Sequence, residues 1–523
     1  MSKSQDQTRT DGPENGGADG ASFRFLLTAQ EAYVAFEEAV LDSTEDIRAG
    51  FRVFDFSTRL HSERAREIGQ DWFDLIEHAL RRGVRLDLTI TDFDPVARPE
   101  LHRMTWRTVK MAHAVADMAD AHDRLHVRAA MHPAQVGALP RLAFWPKTYK
   151  RLRSHANDLN ALDAAVRATC MILEPGLARH IRMHDNRAQA RIWPMPHLHP
   201  ATHHQKVAVF DRELLYIGGL DLDDRRFDTP EHDGPSQETW HDTQVMMRGP
   251  VAAQAHAHLG RFLDETAGRI APAPAPGLLR TLSTRRPFAM PFIAPRTLVS
   301  ELSQAHLDAV ASARRLIYLE TQFFRDRALA RALARAAEAH PRLELVLIVP
   351  GAPEDVAFDG ATGDDARYGE YLQAKCVKRL RKAFGPRIFV GSPAQPRRGG
   401  TGRGALYGAP LIYLHAKVSV FDDDLAIISS ANLNGRSFRW DTELGVDIRT
   451  PAHVREIRET CFAHWLPDAA APLPDAPVRA LSDLARANSE RLPETRRGFL
   501  LPYASRPARR FGRNLPGIPE DIV

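Results

Sequence analysis

The sequence contains two histidine–lysine pairs in matching contexts, one in each part of the chain. Both have the spacing H-x-K-x4-D. Their members are His204, Lys206 and Asp211 in the first copy and His415, Lys417 and Asp422 in the second. One imidazole can attack phosphorus while the other protonates the leaving oxygen, and two ammonium groups can neutralise the non-bridging oxygens. The pattern therefore indicates cleavage or transfer of a phosphodiester through a phosphohistidine.

Each pair runs into a short apolar segment, VAVF in the first copy and VSVF in the second. Such segments are typical of buried β-strands. Side chains two residues apart point to the same face of a strand. We therefore expect each strand to present its histidine and its lysine to one common space, with the valines on the opposite face.

Two acidic residues also occupy matching places, downstream of the two pairs. They are Asp242 in WHDTQV and Glu443 in DTELGV. A catalytic histidine needs an acceptor that fixes its second ring nitrogen. We assign Asp242 and Glu443 as the acceptors that orient His204 and His415.

Small and polar residues follow each motif aspartate at the same distance. Gly218 and Gly219 in the first half correspond to a serine pair in the second, and these small residues, with Ser430, are predicted to let the backbone approach the substrate phosphate. Asn432 is predicted to donate to a phosphate oxygen. Asp221 holds the matching place in the first half, and an ionised carboxylate cannot donate there. The two halves are thus similar but not equivalent.

A metal site is the main alternative reading of the first motif. The stretch HLHPATHH is dense enough in histidine to hold zinc, with candidate ligands His197, His199, His203 and His204. The second motif has no comparable cluster, and an ammonium group beside a divalent cation is unfavourable. The three cysteines are far apart and form no CxxC pair. We therefore predict no metal and no cofactor.

The elements around the motifs form an internal repeat. In each part an apolar strand that ends in an acid leads to a helix and a second strand, then to the His-x-Lys strand and a last strand–helix pair. This alternation predicts an α/β fold of two similar halves, each a mostly parallel sheet flanked by helices. An insertion between about Asp94 and Met195 lengthens the first half. The predicted divisions are a disordered leader (1–20), the first half (21–268), a linker (269–295), the second half (296–466) and a Pro/Arg-rich tail (467–523).

These motifs, in this order, resemble the phospholipase D superfamily. The resemblance covers most of residues 24–465 and also includes the stretches Gly218–Leu222, Tyr318–Phe324 and Ser429–Ser437. It is strongest to enzymes that act on phosphatidylcholine-like lipids. It departs from the family where Ser429-Ser430 replaces the usual Gly-Ser, and residues 1–23 are too short to hold a regulatory lipid-binding domain, so we expect none before the first half.

The resemblance implies a pseudo-twofold α/β fold with one site between the halves, no catalytic metal, and possible transfer of the phosphatidyl group to an alcohol. It also implies roles for the motif residues. His204 would be the nucleophile and His415 the general acid and base, while Asp211 and Asp422 would organise their motifs rather than contact the substrate.

Composition helps to separate the possible substrates. The 523 residues carry a formal net charge of only +4, with a pI of about 9.0, which gives little support to nucleic-acid binding. A phospholipid is therefore favoured over a nuclease substrate, and a non-catalytic scaffold is disfavoured because both pairs are complete. Cardiolipin-type synthesis is a further alternative, although such bacterial synthases usually carry N-terminal membrane helices.

The sequence also suggests where the protein acts. It has no apolar run of about 18 residues and no apolar N-terminal stretch, so we expect no membrane span and no signal peptide. We expect a cytoplasmic monomer, with leaderless secretion left open. Peripheral membrane contact would involve the aromatic insertion at Phe144 and Trp145 or the basic tail at Arg509 and Arg510.

Overall fold

The computed structural model describes residues 23–466 and 476–523. The predicted leader and the start of the predicted tail lie outside these residues. The described chain contains a seven-stranded sheet, a nine-stranded sheet and two two-stranded hairpins. The fold is α/β, with two mixed sheets flanked by helices, and this confirms the predicted fold class.

The first half holds nine strands and seven α-helices. Its strands are β1 (Phe23–Leu27), β2 (Asp46–Phe51), β3 (Arg85–Asp92), β4 (Leu125–Met131), β5 (Ile181–His184), β6 (Arg187–Ala190), β7 (Val207–Phe210), β8 (Leu214–Gly218) and β9 (Thr243–Arg248). Its helices are α1 (Thr28–Asp42), α2 (Glu63–Arg66), α3 (Trp72–Arg81), α4 (Pro99–Ala119), α5 (Ala138–Ala161), α6 (Ala164–Leu173) and α7 (Pro250–Thr266).

The remainder of the described chain holds eleven strands and eight α-helices. The strands are β10 (Leu279–Thr284), β11 (Arg296–Ser300), β12 (Leu316–Glu320), β13 (Glu344–Ile348), β14 (Ile388–Pro393), β15 (Ala405–Leu406), β16 (Ala409–Pro410), β17 (Val418–Phe421), β18 (Leu425–Ser429), β19 (Glu443–Ile448) and β20 (Leu500–Pro502). The helices are α8 (Glu301–Ser312), α9 (Arg327–Ala339), α10 (Glu354–Ala357), α11 (Asp364–Phe384), α12 (Gly435–Arg439), α13 (Pro451–Trp465), α14 (Pro477–Glu490) and α15 (Ser505–Phe511).

The two large sheets share one topology. The first has the order β1-β9-β8-β7-β2-β3-β4, and the second contains the corresponding run β10-β19-β18-β17-β12-β13-β14. In each sheet three strands pair in parallel, β2-β3-β4 and β12-β13-β14, and the strands on the other side pair antiparallel. The sheets are thus mixed rather than mostly parallel, because the short turns after β7 and β17 can join only antiparallel neighbours.

Helices cover the outer face of each sheet, and the inner faces meet. Apolar residues of α1, α3 and α4 pack on the first sheet, and those of α8, α9 and α11 pack on the second. Helix α9 shows the sequence basis, because its leucines and alanines recur every three or four residues and the Asp326 side chain caps its N-terminus. The valines of β7 and β17 share a central core with α7 and α13. This core places the beginnings of β7 and β17 close together.

Three segments differ in detail from the predicted organisation. Helix α4 and β4 correspond to α11 and β14, because β4 pairs in parallel with β3 as β14 pairs in parallel with β13. The extra segment of the first half therefore begins after Met131; its helices have a small core of their own. The predicted linker contains β10, which pairs with β19. The tail contributes β20, which pairs with β14. Among the described residues, no helix combines the length and apolarity needed to cross a membrane.

Candidate active site

The two His-x-Lys segments lie immediately before their strands and pair with the opposite half. The His204 amide donates to the carbonyl oxygen of Thr442 at 2.8 Å, and the His415 amide donates to the carbonyl oxygen of His241 at 2.7 Å. Thr442 directly precedes Glu443, and His241 directly precedes Asp242. Each histidine is therefore held beside the acidic residue of the other half.

The side chains follow the same crossed arrangement. His204 Nδ1 lies 3.0 Å from both carboxylate oxygens of Glu443, and His415 Nδ1 lies 2.6 Å from Asp242 Oδ2. Both carboxylates are completely buried. The sequence assigned Asp242 to His204 and Glu443 to His415, and the structure shows the opposite pairing. The reason is that main-chain pairing between the halves brings each acid to the histidine of the other half. A carboxylate at Nδ1 places the ring proton there and leaves each Nε2 for the substrate.

The two lysines are buried beside these pairs. Lys206 is fully buried, and its Nζ donates to the His204 carbonyl oxygen at 2.6 Å and lies 3.9 Å from Asp221 Oδ2. Lys417 Nζ lies 2.8 Å from His415 Nδ1 and also donates to the His415 carbonyl oxygen. Burial lowers the pKa of Lys417 to about 7, although Asp242 favours its charged form. The effect of burial on the Lys417 ammonium thus outweighs the stabilisation by Asp242, and a bound anion would favour the charged form.

Charged groups of both halves shift the pKa values of the two site histidines. Burial, with Lys206 next in size, lowers the pKa of His204 well below its usual range, and burial with Lys417 does the same for His415. Burial raises the pKa of Glu443 to about 7, against the opposing effect of Lys206. The site therefore combines neutral imidazoles with buried ionisable groups. A bound phosphate anion favours protonation of the imidazoles.

The charged groups that act on the two histidines and their neighbours are of both signs. The cations include Lys206, Lys417 and Arg52, and the anions include Asp221, Asp242, Asp441 and Glu443. A bound phosphodiester adds a negative charge and favours a proton on one of the two histidines. Acid–base chemistry on a phosphodiester requires such a proton.

Asn432 lies in the site region but is held by a side chain that the sequence did not predict. Its Nδ2 donates to Gln322 Oε1 at 3.1 Å, and Gln322 Nε2 donates to the Tyr413 hydroxyl at 2.7 Å. Asn432 Oδ1 is buried without a hydrogen-bond partner. Asp221, at the matching place, accepts from the Val53 amide at 3.0 Å and pairs with Lys206. Asn432 and Asp221, which hold matching places in the two halves, therefore have different partners.

The predicted phosphate-contacting small residues have other neighbours. A Cβ atom on Gly218 would lie 1.8 Å from Gln244 Oε1, and one on Gly219 would lie 2.2 Å from Asp242 Oδ1. The Ser430 hydroxyl donates to Glu443. These residues thus create room for, or hydrogen-bond to, Gln244 of strand β9 and the two orienting acids. Their contact with a phosphate stays a prediction.

The motif aspartates organise turns away from the histidines. Asp422 accepts hydrogen bonds from the amides of Arg314, Arg315 and Leu316, each at 2.8 Å. Asp211 accepts in the same way from three successive amides, at 2.8–3.0 Å, at the start of β2. Both aspartates have left-handed φ angles, 52° and 50°. Each fastens the end of a His-x-Lys strand to its neighbouring strand.

Replacing Asp422 with alanine is expected to lower the free energy of unfolding by about 2–4 kcal/mol, because three amides lose a charged acceptor. Chemical denaturation followed by circular dichroism measures this change. The matched control is Asp424→Ala, an exposed residue of the same turn, for which we expect about 0.5 kcal/mol or less. Equal losses for the two variants would show that Asp422 does not anchor the strand.

Three site residues were missed by sequence reasoning. Arg52 lies 3.7 Å from Asp221, Gln322 holds Asn432, and the Trp240 ring packs on His415 with centroids 4.6 Å apart. Each is a single residue beside a recognised motif. The sequence signal for them was weak: Arg52 directly follows the apolar strand β2, and Gln322 lies two residues after the apolar strand β12.

The histidine-rich stretch before β7 does not converge on one point. His197 contacts Arg141, His199 Nδ1 contacts the His132 carbonyl oxygen, and His203 Nδ1 contacts Thr442 Oγ1. His204 contacts Glu443. Within residues 23–466 and 476–523, the one grouping of three or more potential metal ligands lies elsewhere.

Comparisons of the sequence with known proteins give one family model and several plant relatives. The family model described as "Cardiolipin synthase, PLD-like domain" matches residues 306–465. Phospholipase D alpha 1 of Nicotiana tabacum is 23% identical over 373 residues, covering 48% of this chain and 46% of that protein. Phospholipase D beta 2 of Arabidopsis thaliana is 23% identical over 386 residues, covering 50% and 41%. The chain spans less than half the length of these curated relatives.

Two solved structures are also similar. Phosphatidylserine synthase of Haemophilus influenzae Rd KW20 has a TM-score of 0.49 at 13% identity, with 90% of this chain and 94% of that chain covered. Polyphosphate kinase of Porphyromonas gingivalis has a TM-score of 0.43 at 13% identity, covering 90% and 56%.

The paired sheets and the crossed histidine–acid pairs define a two-half α/β fold with one candidate site between the halves. The order of the motifs, the family-model match and the plant relatives support the phospholipase D superfamily for this chain.

Proposed function

We propose that this protein cleaves glycerophospholipids to phosphatidic acid and a free headgroup, or exchanges the headgroup for an alcohol. The observation that carries the proposal is the pair of buried crossed contacts, His204–Glu443 and His415–Asp242, with a buried lysine beside each. Each pair leaves one imidazole nitrogen for chemistry at phosphorus.

In the first step, His204 Nε2 attacks phosphorus and forms a P–N bond. The bond from phosphorus to the headgroup oxygen breaks, and His415 delivers its Nε2 proton to that oxygen. The headgroup leaves as an alcohol and the phosphatidyl group remains on His204. Glu443 stabilises the positive charge that develops on the His204 ring.

In the second step, His415 accepts a proton from water or from an acceptor alcohol. The resulting oxygen attacks phosphorus, and the P–N bond to His204 breaks. Water yields phosphatidic acid, whereas an alcohol yields a new phosphatidyl ester. Lys206 and Lys417 stabilise the charge on the non-bridging oxygens in both steps.

A set of exposed apolar side chains supports a lipid substrate. We call these residues the apolar rim: Leu139, Leu142, Ile192, Trp193, Phe288, Met290 and Phe292. The Leu139 amide donates to the Met290 carbonyl oxygen at 3.0 Å, which joins the extra segment of the first half to the segment after β10. Trp193 is 70% exposed and Phe288 63% exposed. Exposed aromatic and aliphatic groups are suited to the headgroup region of a bilayer.

We propose the apolar rim as the membrane-contacting surface of the first half, in place of Phe144 and Trp145. Phe144 and Trp145 are only half-exposed, and Trp145 packs against the small core of the extra segment. Arg509 and Arg510 are exposed on α15. Trp193 of the rim lies eleven residues before His204 in the sequence.

Cardiolipin-type phosphatidyl transfer is the second candidate. It is favoured by the description of the family model that matches residues 306–465. The chemistry would be the same, with the hydroxyl group of a second phospholipid as the acceptor. The two candidates therefore differ in the acceptor that reaches phosphorus, not in the roles of the histidines.

The deciding experiment offers the acceptor that each candidate function requires: water or ethanol for the first, and phosphatidylglycerol for the second. Purified protein is incubated with phosphatidylcholine vesicles in dilute ethanol and, separately, with phosphatidylglycerol vesicles, and lipids are followed by mass spectrometry. We expect choline release with phosphatidic acid and phosphatidylethanol. Cardiolipin and glycerol from the second mixture would favour the second candidate. Turnover of DNA or RNA with neither lipid reaction would contradict both and favour a nuclease.

Two variants make the experiment specific. Trp193→Ser should lower the rate on vesicles while leaving the rate on a short-chain, monomeric phosphatidylcholine near that of the wild type, because only vesicles need the apolar rim. His197→Ala lies in the same stretch as His204 and should leave both rates unchanged. Equal losses on both substrates for Trp193→Ser would contradict a membrane role for the rim.

A further inference from the structure

Three histidines converge outside the catalytic pair, at a place that the proposed mechanism does not use. His232 lies in the loop before β9, His241 lies two residues before β9, and His464 lies near the end of α13. Their ligand atoms lie within 4.8 Å of one another. His232 Nε2 is 3.2 Å from His464 Nε2 and 3.4 Å from His241 Nδ1. His232 and His241 are fully buried.

Buried carboxylates hold the outer nitrogens of two of these rings. Asp228 Oδ2 lies 2.7 Å from His232 Nδ1, and Glu320 Oε2 lies 3.2 Å from His241 Nε2. Both carboxylates also accept fixed donors: the Trp240 amide at 2.6 Å for Asp228, and Trp465 Nε1 at 2.7 Å for Glu320. A carboxylate oxygen beside a ring nitrogen accepts the imidazole proton there, so this geometry places the protons of His232 and His241 on their outer nitrogens.

The inner nitrogens of His232 and His241 then face each other as lone pairs at 3.4 Å. Two lone pairs repel at that distance unless a cation lies between them. Imidazoles whose other nitrogen is held by a carboxylate are the usual arrangement around zinc.

We propose that His232, His241 and His464 form a binding site for a Zn²⁺-type ion. The ligand atoms are His232 Nε2, His241 Nδ1 and His464 Nε2. A tetrahedral ion with Zn–N bonds of about 2.0–2.1 Å separates its ligand nitrogens by roughly 3.4 Å. The observed separations of 3.2 and 3.4 Å match this value. The three histidines leave a fourth tetrahedral position open for a water molecule.

The ion would join the two halves behind one of the crossed pairs. His232 and His241 belong to the first half and His464 to the second. The His241 carbonyl oxygen accepts from the His415 amide at 2.7 Å, and Asp242 follows His241 in the chain. Ligation would therefore hold the main chain that brings Asp242 to His415. This role is positional, and the site takes no part in the phosphoryl-transfer steps.

The test measures the metal directly. Protein purified with a histidine-free affinity tag is dialysed to equilibrium against micromolar Zn²⁺, and bound metal is counted by mass spectrometry. We expect about one ion per chain in the wild type and in His204→Ala, because the catalytic histidine is not a ligand. His232→Ala and His464→Ala should lose it, whereas His197→Ala should retain it.

X-ray absorption at the zinc edge on the wild-type protein needs no variant, so misfolding of a variant cannot obscure the result. Three imidazole nitrogens at about 2.0–2.1 Å are expected. A wild type that takes up no zinc, a shell containing sulfur, or zinc retained by both His232→Ala and His464→Ala would overturn the proposal. The first of these results would mean that the cluster shares a proton instead.

Discussion

Replacing His204 with alanine is expected to lower kcat by at least about 10⁴-fold, because the enzyme loses the atom that forms the bond to phosphorus. Replacing His415 with alanine should cause a comparable loss for a different reason, since the leaving oxygen then departs without a proton. Headgroup release from phosphatidylcholine measures both effects. The double variant should be little worse than either single variant, since the two rings act as one unit.

The controls separate chemistry from folding. His197→Ala should retain wild-type kcat, and circular dichroism should show that His204→Ala keeps its secondary structure. A leaving group that needs no protonation, such as p-nitrophenol, distinguishes the two histidines. With phosphatidyl-p-nitrophenol, His415→Ala should recover a large part of the first-step rate and His204→Ala should recover none. The opposite pattern would exchange the two roles.

The second large effect concerns the buried acids. Glu443→Gln is expected to lower kcat by about 10²–10⁴-fold, because an amide cannot stabilise the positive charge on His204 and can reverse the preferred ring tautomer. Asp242→Asn should act in the same way through His415. Asp447→Asn, on the same strand as Glu443 but paired with Arg449 near the surface, is the matched control and should have little effect.

The pH profile gives this prediction a readout that simple destabilisation would not produce. Since burial raises the pKa of Glu443 to about 7, activity should fall as the pH drops through 7 and Glu443 becomes protonated. Since burial lowers the pKa of Lys417 to about 7, activity should also fall as the pH rises and Lys417 loses its proton. The profile of kcat/KM should therefore be bell-shaped around neutrality.

Glu443→Gln should remove the acidic limb and keep the alkaline limb. In the profile of kcat, the alkaline limb should move to higher pH, because a bound phosphate anion favours the charged form of Lys417. An unchanged acidic limb in the Glu443→Gln variant would contradict the role of this carboxylate. In that case another group would control the ionisation of His204.

The two His-x-Lys pairs, their motif aspartates and the two acids Asp242 and Glu443 could be predicted from sequence, because they occupy matching places in both halves. The α/β class and the superfamily were confirmed by the sheets and by the matched relatives. The catalytic assignments remain predictions. The crossing of Glu443 to His204 could not be predicted, because sequence order does not reveal which strand ends meet between two sheets. Arg52 and Gln322 each occur once, so no repeat marks them.

Several fold details were hidden for similar physical reasons. β20 is only three residues long, too short for any periodicity, and it becomes a strand because the edge of β14 offers unpaired backbone groups. The three-histidine cluster joins a loop to a helix from the other half. Such a convergence is set by tertiary packing and leaves no local spacing pattern in the sequence.

The crossed main-chain contacts also constrain how this protein can change over generations. His204 depends on Thr442 and Glu443, and His415 depends on His241 and Asp242. A substitution in one half is therefore felt by the catalytic group of the other, so the two halves cannot diverge independently around the site. Selection acts on them as a single inherited unit, even though each has its own sheet and its own outer helices.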